Sequence, residues 1–246
     1  MGKTLVVFDF DWSFVDQDTD RWVFEVLSTK LRRLLETRKS AGSQCTPDVV
    51  NDTMGDLAEE GFTKDQVLDA LRILPFHPAM RRAVLGLRER NPNVEYLCLS
   101  NSNEVYISTI LERHGLTDLF SNIITNPASW NSSNSNRLDI GRRVPANGPQ
   151  HDCKVGCLAN MCKGEELEAY ISERGGRSSY EKIVYIGDGG NDFCPLLRMK
   201  EGDWALVRKN MELDARIKNE GEKEGLKVEV KKWSQAWQID EYFQEL

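Results

Sequence analysis

The sequence predicts an α/β fold, a doubly wound parallel sheet with a helical domain inserted after the first strand. Two short apolar runs end in acidic residues: Asp9 and Asp11 follow the first, and Asp188 and Asp192 follow the second. An apolar run between polar residues is typical of a strand buried on both faces of a parallel sheet. Because open α/β sheets bind ligands at the carboxyl ends of their strands, we expect these four carboxylates to meet at one edge.

Carboxylates gathered in one place repel one another, and some of them would have to stay protonated. A hard dication removes this conflict. Mg²⁺ takes oxygen ligands, often a few carboxylates together with water and a substrate phosphate. The acidic strand ends therefore predict a site for carboxylates, Mg²⁺ and phosphate.

The bulk composition favours a protein that acts on small molecules. The chain has 246 residues, of which 40% are hydrophobic, enough for a sizeable core. Its net charge is −7 and no basic stripe stands clear of acidic neighbours, which disfavours nucleic acid or an anionic membrane as the partner. The sequence shows no targeting segment and no apolar run long enough for a membrane span, so we expect a cytoplasmic protein. The oligomeric state stays open.

Residues 16–93 predict helices and no convincing buried strand. Thr63 begins a capping box ahead of apolar positions that share one helix face, and Pro78 suits the first turn of the next helix. Apolar residues between Trp22 and Leu35 also recur at helical spacing. Because this block is too large for a simple crossover between strands, we expect an inserted helical cap over the site.

Regular alternation of strands and helices after residue 93 predicts the rest of the sheet. Gly115 is expected to close a helix in the left-handed conformation. Residues 126–150 predict an irregular insertion with a small hairpin around Arg137 to Val144. The core domain then comprises residues 1–15 and 94–246, and the cap domain residues 16–93. Strands are expected over residues 94–99, 120–125, 183–186, 204–207 and 227–230, and helices over 104–114 and 163–174.

Four pieces of the chain, in order, resemble the haloacid dehalogenase (HAD) superfamily of phosphatases. They are residues 9–13 (Asp-Phe-Asp-Trp-Ser), Ser100 after a strand, Lys163, and residues 187–192 (Gly-Asp-Gly-Gly-Asn-Asp). This resemblance implies a Rossmann-like core and a cap of type C1. Residues 16–22, 125–128, 151–162, 160–163 and 192–195 are further similar to the phosphoethanolamine/phosphocholine phosphatase group, which has pyridoxal phosphate and thiamine monophosphate phosphatase relatives.

The resemblance implies a role for each acid. Asp9 would be the nucleophile that forms an aspartyl-phosphate, and Asp11 the general acid and base. Residues two apart on a regular strand share a face, so both carboxylates could reach one substrate. The Asp9 side chain, the Asp11 main-chain carbonyl and Asp188 would hold Mg²⁺. Asp192 would lie just outside this ligand set or assist coordination.

The resemblance also implies how the substrate is bound. Lys163 and Ser100 would stabilise charge on the phosphate oxygens. Asp20 and Asn101 would contact the leaving group, and Asn101 stands where relatives often carry Asp. Gly189 would allow a close approach of the backbone and a positive φ after the metal ligand.

Simpler roles remain open for several of these residues. Ser100, Asp20 and Asp192 could each cap the N-terminus of the helix that follows it. Lys163 could be a surface lysine at the start of a helix, and the first aspartate pair a solvated strand end.

A cysteine-rich segment gives the most ambiguous signal. His151, Cys153, Cys157 and Cys162 could hold a structural Zn²⁺, but their spacing matches no standard zinc pattern. Reduced, partly buried thiols that pack the segment before Lys163 are the favoured alternative, and a disulfide is less favoured still. Cys45, Cys98 and Cys194 add no further pattern.

The sequence thus predicts a Mg²⁺-dependent phosphatase for small phosphomonoesters such as phosphoethanolamine, phosphocholine, pyridoxal phosphate or thiamine monophosphate. A phosphomutase or phosphotransferase that uses the same aspartyl-phosphate is the enzymatic alternative. A phospho-ligand sensor that has lost turnover is the non-enzymatic alternative.

Overall fold

A parallel sheet of six strands lies at the centre of the part of the chain that the structure describes. The computed structural model describes residues 2–42 and 46–246, so Cys45 lies outside the described residues. The strand order is β3-β2-β1-β6-β7-β8. These strands are β1 (Lys3–Phe8), β2 (Val94–Asn103), β3 (Asn122–Asn126), β6 (Tyr180–Gly187), β7 (Trp204–Arg208) and β8 (Glu229–Trp233), and a separate pair comprises β4 (Ala128–Trp130) and β5 (Leu138–Ile140).

Strand β1 is the centre at which the chain changes direction across the sheet. It pairs in parallel with β2 on one side and with β6 on the other. At its carboxyl end Phe8 lies opposite Cys98 of β2 and Ile186 of β6. The residues that follow these three positions therefore emerge side by side at the same edge.

Two separate apolar cores confirm the predicted doubly wound arrangement. Alternate residues of β1 point to opposite faces, so Val6 and Phe8 enter one core and Leu5 and Val7 the other. Helices α5 (Pro78–Arg90), α6 (Glu104–Arg113) and α10 (Ala236–Gln244) contribute to the first core. Helices α7 (Lys163–Glu173), α8 (Phe193–Leu197) and α9 (Glu212–Glu220) contribute to the second.

Four further helices lie between β1 and α5: α1 (Thr19–Leu27), α2 (Thr29–Ala41), α3 (Thr46–Glu59) and α4 (Lys64–Arg72). Helix α1 packs on α2 and α4, and α2 packs on α3. Ser28 separates α1 from α2 and caps the second helix, so the apolar periodicity from Trp22 to Leu35 covers two helices. Helix α5, although inside the range predicted for the cap, packs on α10, where Arg82 pairs with Asp240 at 2.7 Å.

Short-range signals located several helix ends correctly. The capping box of Thr63 and Gln66 begins α4, Pro78 lies in the first turn of α5, and Gly115 follows α6 with a φ of 64°. The hairpin predicted around Arg137 to Val144 was wrong in its position. Strand β4 pairs antiparallel with β5 because an Asn-rich turn between them is closed by the hydrogen bond from Asn131 N to Arg137 O, of 2.9 Å.

Residues 141–162 contain no helix or strand, although the structure describes all of them. This segment leads from the β4–β5 pair to the first residue of α7, Lys163. None of the described helices is both long enough and apolar enough to cross a bilayer.

Candidate active site

Asp9 directly follows β1, at the point where the pairing of β1 with β2 and β6 ends. Its N–H donates to the carbonyl of Ile186 at 2.9 Å, which extends the pairing of β1 with β6 by one residue. Its Oδ1 accepts from the N–H of Phe10 at 2.7 Å. The side chain is therefore held in one orientation, and the residue is only 7% exposed.

A tight turn over Phe10–Phe14, not a continued strand, places Asp11 beside Asp9. The expectation that both acids lie on a regular strand was therefore wrong, because β1 ends at Phe8. Trp12 reverses the chain with a φ of 54°, a conformation that is strained for a bulky side chain. Arg208 stabilises the turn by donating to the carbonyl oxygen of Trp12 at 2.6 Å.

The Asp11 carboxylate points to the first cap helix. It accepts from the N–H and the hydroxyl of Thr19, each at 3.2 Å, and that hydroxyl lies 2.7 Å from the hydroxyl of Ser102. Burial raises the pKa of Asp11 well above its usual value, and the neighbouring charges of Asp18 and Asp20 raise it further. Asp11 is thus a carboxyl group that keeps its proton at a pH where an exposed aspartate would lose it.

Lys163 lies behind Asp9, at the start of α7, and is only 1% exposed. Its Nζ contacts Oδ1 of Asp9 at 2.9 Å and Oδ1 of Asp192 at 2.8 Å. Burial by itself would lower the pKa of Lys163, but Asp192 and Asp9 outweigh burial and the pKa is raised. The simpler role as a surface lysine was therefore wrong, and a buried ammonium ion stands next to the predicted nucleophile.

Asp192 is fully buried and accepts hydrogen bonds from the groups around it. Besides Lys163, its Oδ1 accepts from the hydroxyl of Tyr185 at 2.7 Å. Its Oδ2 accepts from the N–H groups of Asp188 and Gly189 at 3.1 and 3.0 Å. Asp192 thereby orients both the loop that carries Asp188 and the ammonium group of Lys163.

Asp188 follows β6 and faces Asp9. Its Oδ1 accepts from the hydroxyl of Ser13 at 2.9 Å. One carboxylate oxygen from each of Asp9, Asp188 and Asp192 lies within 4.8 Å of the others. Burial raises the pKa of Asp9 to about 7 and that of Asp188 to about 8, and repulsion among the three acids adds to both shifts.

These three oxygens fit a hard dication. The carboxylates are crowded, shielded from water and of the ligand type that Mg²⁺ takes, so a bound dication would relieve their repulsion. Asp9 and Asp188 are better suited than Asp192 as ligands of such an ion, because both carboxylate oxygens of Asp192 already accept hydrogen bonds.

The glycines of residues 187–192, at the carboxyl end of β6 and in the loop after it, have a different role from the one predicted. Gly189 has a φ of −89°, so the expected positive φ was wrong. A Cβ on Gly189 would lie 2.6 Å from Oδ1 of Asn191, and one on Gly187 would lie 2.7 Å from Oδ2 of Asp192. Small residues are needed here because the loop folds closely around the Asp192 side chain.

A cavity of about 570 Å³ opens in front of these groups. Its lining includes Asp9, Asp11, Ser100, Asn101, Asp188 and Gly189 from the core and Asp20 from the cap. The structure therefore brings every predicted site residue to one place, with Lys163 and Asp192 buried behind the cavity wall. Sequence reasoning missed Asp18 and Lys39, which also line this cavity and come from the cap helices.

Two predicted substrate contacts have defined neighbours. Asp20, in the first turn of α1, lies 3.9 Å from Nζ of Lys39. Burial raises the pKa of Asp20 to about 7, although Lys39 lowers it, and Asp18 adds to the rise. Oδ1 of Asn101 accepts from the side-chain amide of Asn191 at 2.9 Å, so Asn101 links the last residues of β2 to the loop after β6.

The structure also decides which residues cap helices. Asp18, not Asp20, caps α1 by accepting from the N–H of Arg21 at 3.0 Å. Asn103, not Ser100, caps α6. Ser100 instead lies 1% exposed in the cavity wall, where its hydroxyl accepts from the N–H of Ser102 at 3.1 Å.

The predicted set of zinc ligands differs from the cluster that the structure assembles. Four sulfur atoms, of Cys153, Cys157, Cys162 and Cys194, lie within 4.8 Å of one another. His151 is not part of this group, and its Nε2 lies 2.7 Å from the carbonyl oxygen of Leu158. Cys194 could not be found by spacing, because α8 brings it to the other three from another part of the chain.

With this geometry established, comparisons with known proteins identify the family. The model of the family described as Putative Phosphatase matches residues 4–246. The chain belongs to this family. It is an enzyme, a phosphatase, and the resemblance stated from the sequence is confirmed.

Relatives and a solved structure agree with this assignment. Pyridoxal phosphate phosphatase PHOSPHO2 of Mus musculus is 31% identical over 246 residues, with 98% of each chain covered. A thiamine phosphate phosphatase-like protein of Arabidopsis thaliana is 29% identical, with 96% of this chain and 92% of the relative covered. A substrate-bound phosphoserine phosphatase has the same fold, with a TM-score of 0.56 and 14% identity over 89% of this chain and 99% of that one.

Proposed function

We propose that this HAD phosphatase hydrolyses small phosphomonoesters through an aspartyl-phosphate on Asp9, with Mg²⁺ as its cofactor. One observation carries the proposal: a fixed carboxylate, Asp9, faces a small cavity beside a second carboxyl group, Asp11, whose pKa is raised well above its usual value. A nucleophile paired with a group that still holds a proton is what a two-step hydrolysis requires.

In the first step a carboxylate oxygen of Asp9 attacks phosphorus and the ester P–O bond breaks. Asp11 gives its proton to the leaving alkoxide oxygen. In the second step Asp11, now a carboxylate, takes a proton from water as that water attacks the same phosphorus. The acyl-phosphate bond breaks, phosphate leaves, and both acids return to their starting states.

The buried charges prepare Asp9 for this role. Lys163 lowers the pKa of Asp9 and so favours the ionised form that attacks phosphorus. Ser100 lies in the cavity wall, where its hydroxyl can donate to a phosphate oxygen. Mg²⁺, held by Asp9, the Asp11 carbonyl and Asp188, would neutralise the remaining carboxylate charge and that of the phosphate.

The size and charge of the cavity favour a small leaving group that is cationic or carries hydroxyls. A volume of about 570 Å³ is in the range of small-molecule sites, and the cap helices would exclude a folded protein. Asp18 and Asp20 face the leaving-group side, and Lys39 offsets part of their charge. Phosphoethanolamine, phosphocholine, pyridoxal phosphate and thiamine monophosphate are the proposed candidates.

Phosphate release from these four esters, with and without Mg²⁺, tests the proposal. Glycerol phosphate and inorganic pyrophosphate serve as comparisons without a cationic organic group. We expect hydrolysis that a chelator abolishes, and an Asp9→Asn variant slowed by at least about 10⁴-fold. The control, Asp118→Asn, removes an exposed carboxylate and should leave the rate unchanged.

Two outcomes would contradict the proposal. Tight binding of every ester without phosphate release would favour a sensor. Transfer of phosphate from a bisphosphate donor to another hydroxyl, faster than release to water, would favour a phosphomutase or phosphotransferase.

A further inference from the structure

Four thiols converge at the base of the segment that leads to Lys163. Cys153 and Cys157 come from the irregular segment 141–162, Cys162 immediately precedes α7, and Cys194 lies in the first turn of α8. Two separate parts of the chain, residues 153–162 and α8, thus contribute to one cluster. The cluster lies outside the set of residues that the proposed hydrolysis uses.

The spacing of the sulfur atoms matches a tetrahedral metal site. Cys153 Sγ lies 3.6 Å from Cys157 Sγ and 3.5 Å from Cys194 Sγ, and Cys162 Sγ lies 3.5 Å from Cys194 Sγ. A tetrahedron of sulfurs about 2.3 Å from zinc has edges of about 3.8 Å. The sulfurs of a disulfide would be about 2.0 Å apart.

The surrounding residues are arranged to allow this approach. Gly156 turns the chain between Cys153 and Cys157 with a φ of 90°. Gly164 has no side chain to keep α8 away, since a Cβ there would lie 2.6 Å from the Cys194 sulfur. Glycine therefore meets two needs of the cluster, a positive φ at Gly156 and a close approach at Gly164.

The charge balance also suits a metal thiolate centre. Four thiolates around Zn²⁺ carry a net charge of −2, which a nearby cation would offset. Nη2 of Arg198 lies 3.9 Å from the Cys162 sulfur. Its guanidinium is therefore placed to interact with the cluster.

Side-chain contacts, not secondary structure, hold the segment: Asn160 donates to Oδ1 of Asn126 at 2.9 Å, Arg143 pairs with Glu166 at 3.0 Å, and Met161 packs in the second core. Residues 141–162 form no helix or strand, and Leu158 is 79% exposed. Loops of this length without secondary structure are uncommon and are often functional. A metal bound by four cysteines would add a further fixed point, one residue before Lys163.

We propose that Cys153, Cys157, Cys162 and Cys194 bind a structural Zn²⁺ that holds the start of α7, and with it Lys163, in place. Each thiol loses its proton when it binds the metal, and no oxidation occurs. This centre is separate from the Mg²⁺ site. It differs from the zinc ligand set predicted from the sequence because Cys194 replaces His151.

Metal analysis of the full chain tests the proposal. The protein is expressed with added zinc and purified without a metal-binding tag, in a non-chelating reductant. We expect about one equivalent of zinc per chain. A Co²⁺-substituted sample should show the sulfur-to-cobalt charge-transfer absorption of a tetrahedral thiolate site, which a carboxylate site cannot give.

Variants locate the metal. Cys153→Ser and Cys194→Ser should each bring the zinc content below about a fifth of an equivalent. Two control variants should retain the zinc. Cys98→Ser changes a buried cysteine of β2 outside the cluster, and Asp188→Asn changes the carboxylate site. These measurements are independent of turnover, so a failure here leaves the phosphatase proposal standing.

Three outcomes would overturn the inference. One is wild-type protein with less than about half an equivalent of zinc under zinc-replete conditions. The second is a cobalt spectrum without the charge-transfer bands. The third is a disulfide between two of the four cysteines that persists in the reductant, found by mass spectrometry of the purified protein. The wild-type measurements decide the question even if a serine variant fails to fold.

Discussion

Replacing Lys163 by Met removes one buried ammonium ion and keeps a side chain of similar length. In the native protein that ion lies between Oδ1 of Asp9 and Oδ1 of Asp192, at 2.9 and 2.8 Å. The variant would leave two buried carboxylates that face each other without a cation. We therefore expect Lys163→Met to change both stability and activity.

The stability loss can be given a magnitude. Removing one partner of a buried ion pair costs about 3–5 kcal/mol. For a chain of this size each kcal/mol lowers Tm by about 2–4 °C, so the expected fall is about 6–20 °C. The loss should be smaller below the Asp9 pKa of about 7, because a protonated Asp9 no longer needs the cation.

Activity should fall more than stability alone would cause. Loss of one charged group that stabilises the transition state typically costs about 10²–10³-fold in kcat. Lys39→Met is the matched control, since Lys39 lines the same cavity but lies 3.9 Å from Asp20 and is not buried behind Asp9. We expect that control to lose less stability than Lys163→Met, because the Lys39–Asp20 pair is longer and Lys39 is more exposed than Lys163.

Thermal denaturation at pH 5 and pH 8 without Mg²⁺ measures the stability loss. Steady-state phosphate release with Mg²⁺ measures the activity loss. A Tm for Lys163→Met within 2 °C of wild type, or a kcat no lower than that of Lys39→Met, would refute the reasoning.

Three further changes have defined outcomes. Asp11→Asn should slow formation of the aspartyl-phosphate from alkyl phosphates by about 10²–10⁴-fold but spare the burst of p-nitrophenolate from p-nitrophenyl phosphate, whose leaving group needs no proton; equal losses in this first step would exclude the acid role. Asp20 has a raised pKa of about 7, so its charge destabilises the fold as pH rises from about 4 through 7. Asp20→Asn should therefore raise the free energy of unfolding, measured in urea, at pH 8 but not at pH 4, and an equal change at both would contradict the assignment. Gly164→Ala places a Cβ 2.5 Å from Nε of Arg198. We therefore expect the free energy of unfolding to fall by about 1–3 kcal/mol and the zinc content to fall with it. If neither value changes, the cluster does not depend on this contact.

Local signals in the sequence were sufficient for the regular elements. The apolar runs before Asp9 and Asp188 marked two adjacent central strands, and the capping box at Thr63 marked the start of α4. Such signals work because each depends on residues close together in the chain. The same holds for Gly115, whose positive φ follows from its position at a helix end.

Contacts between distant residues were where sequence reasoning failed. Asp20 carries the same carboxyl group as Asp18, and only the path of the chain showed which of them caps α1. The strained turn at Trp12 depends on Arg208, which is far away in sequence. Cys194 likewise joins the sulfur cluster only through the packing of α8 against α7.

The amino-acid sequence alone determined the order of the six sheet strands along the chain, the acidic strand ends and the phosphatase family, because these rest on periodicity and on motifs of fixed spacing. The tertiary structure alone decided that Lys163 lies between Asp9 and Asp192, that Asp11 turns towards Thr19, and that four cysteines meet. The physical reason is that pairing of charges, loss of solvent and convergence of ligands depend on distances through space, which the order of residues does not specify.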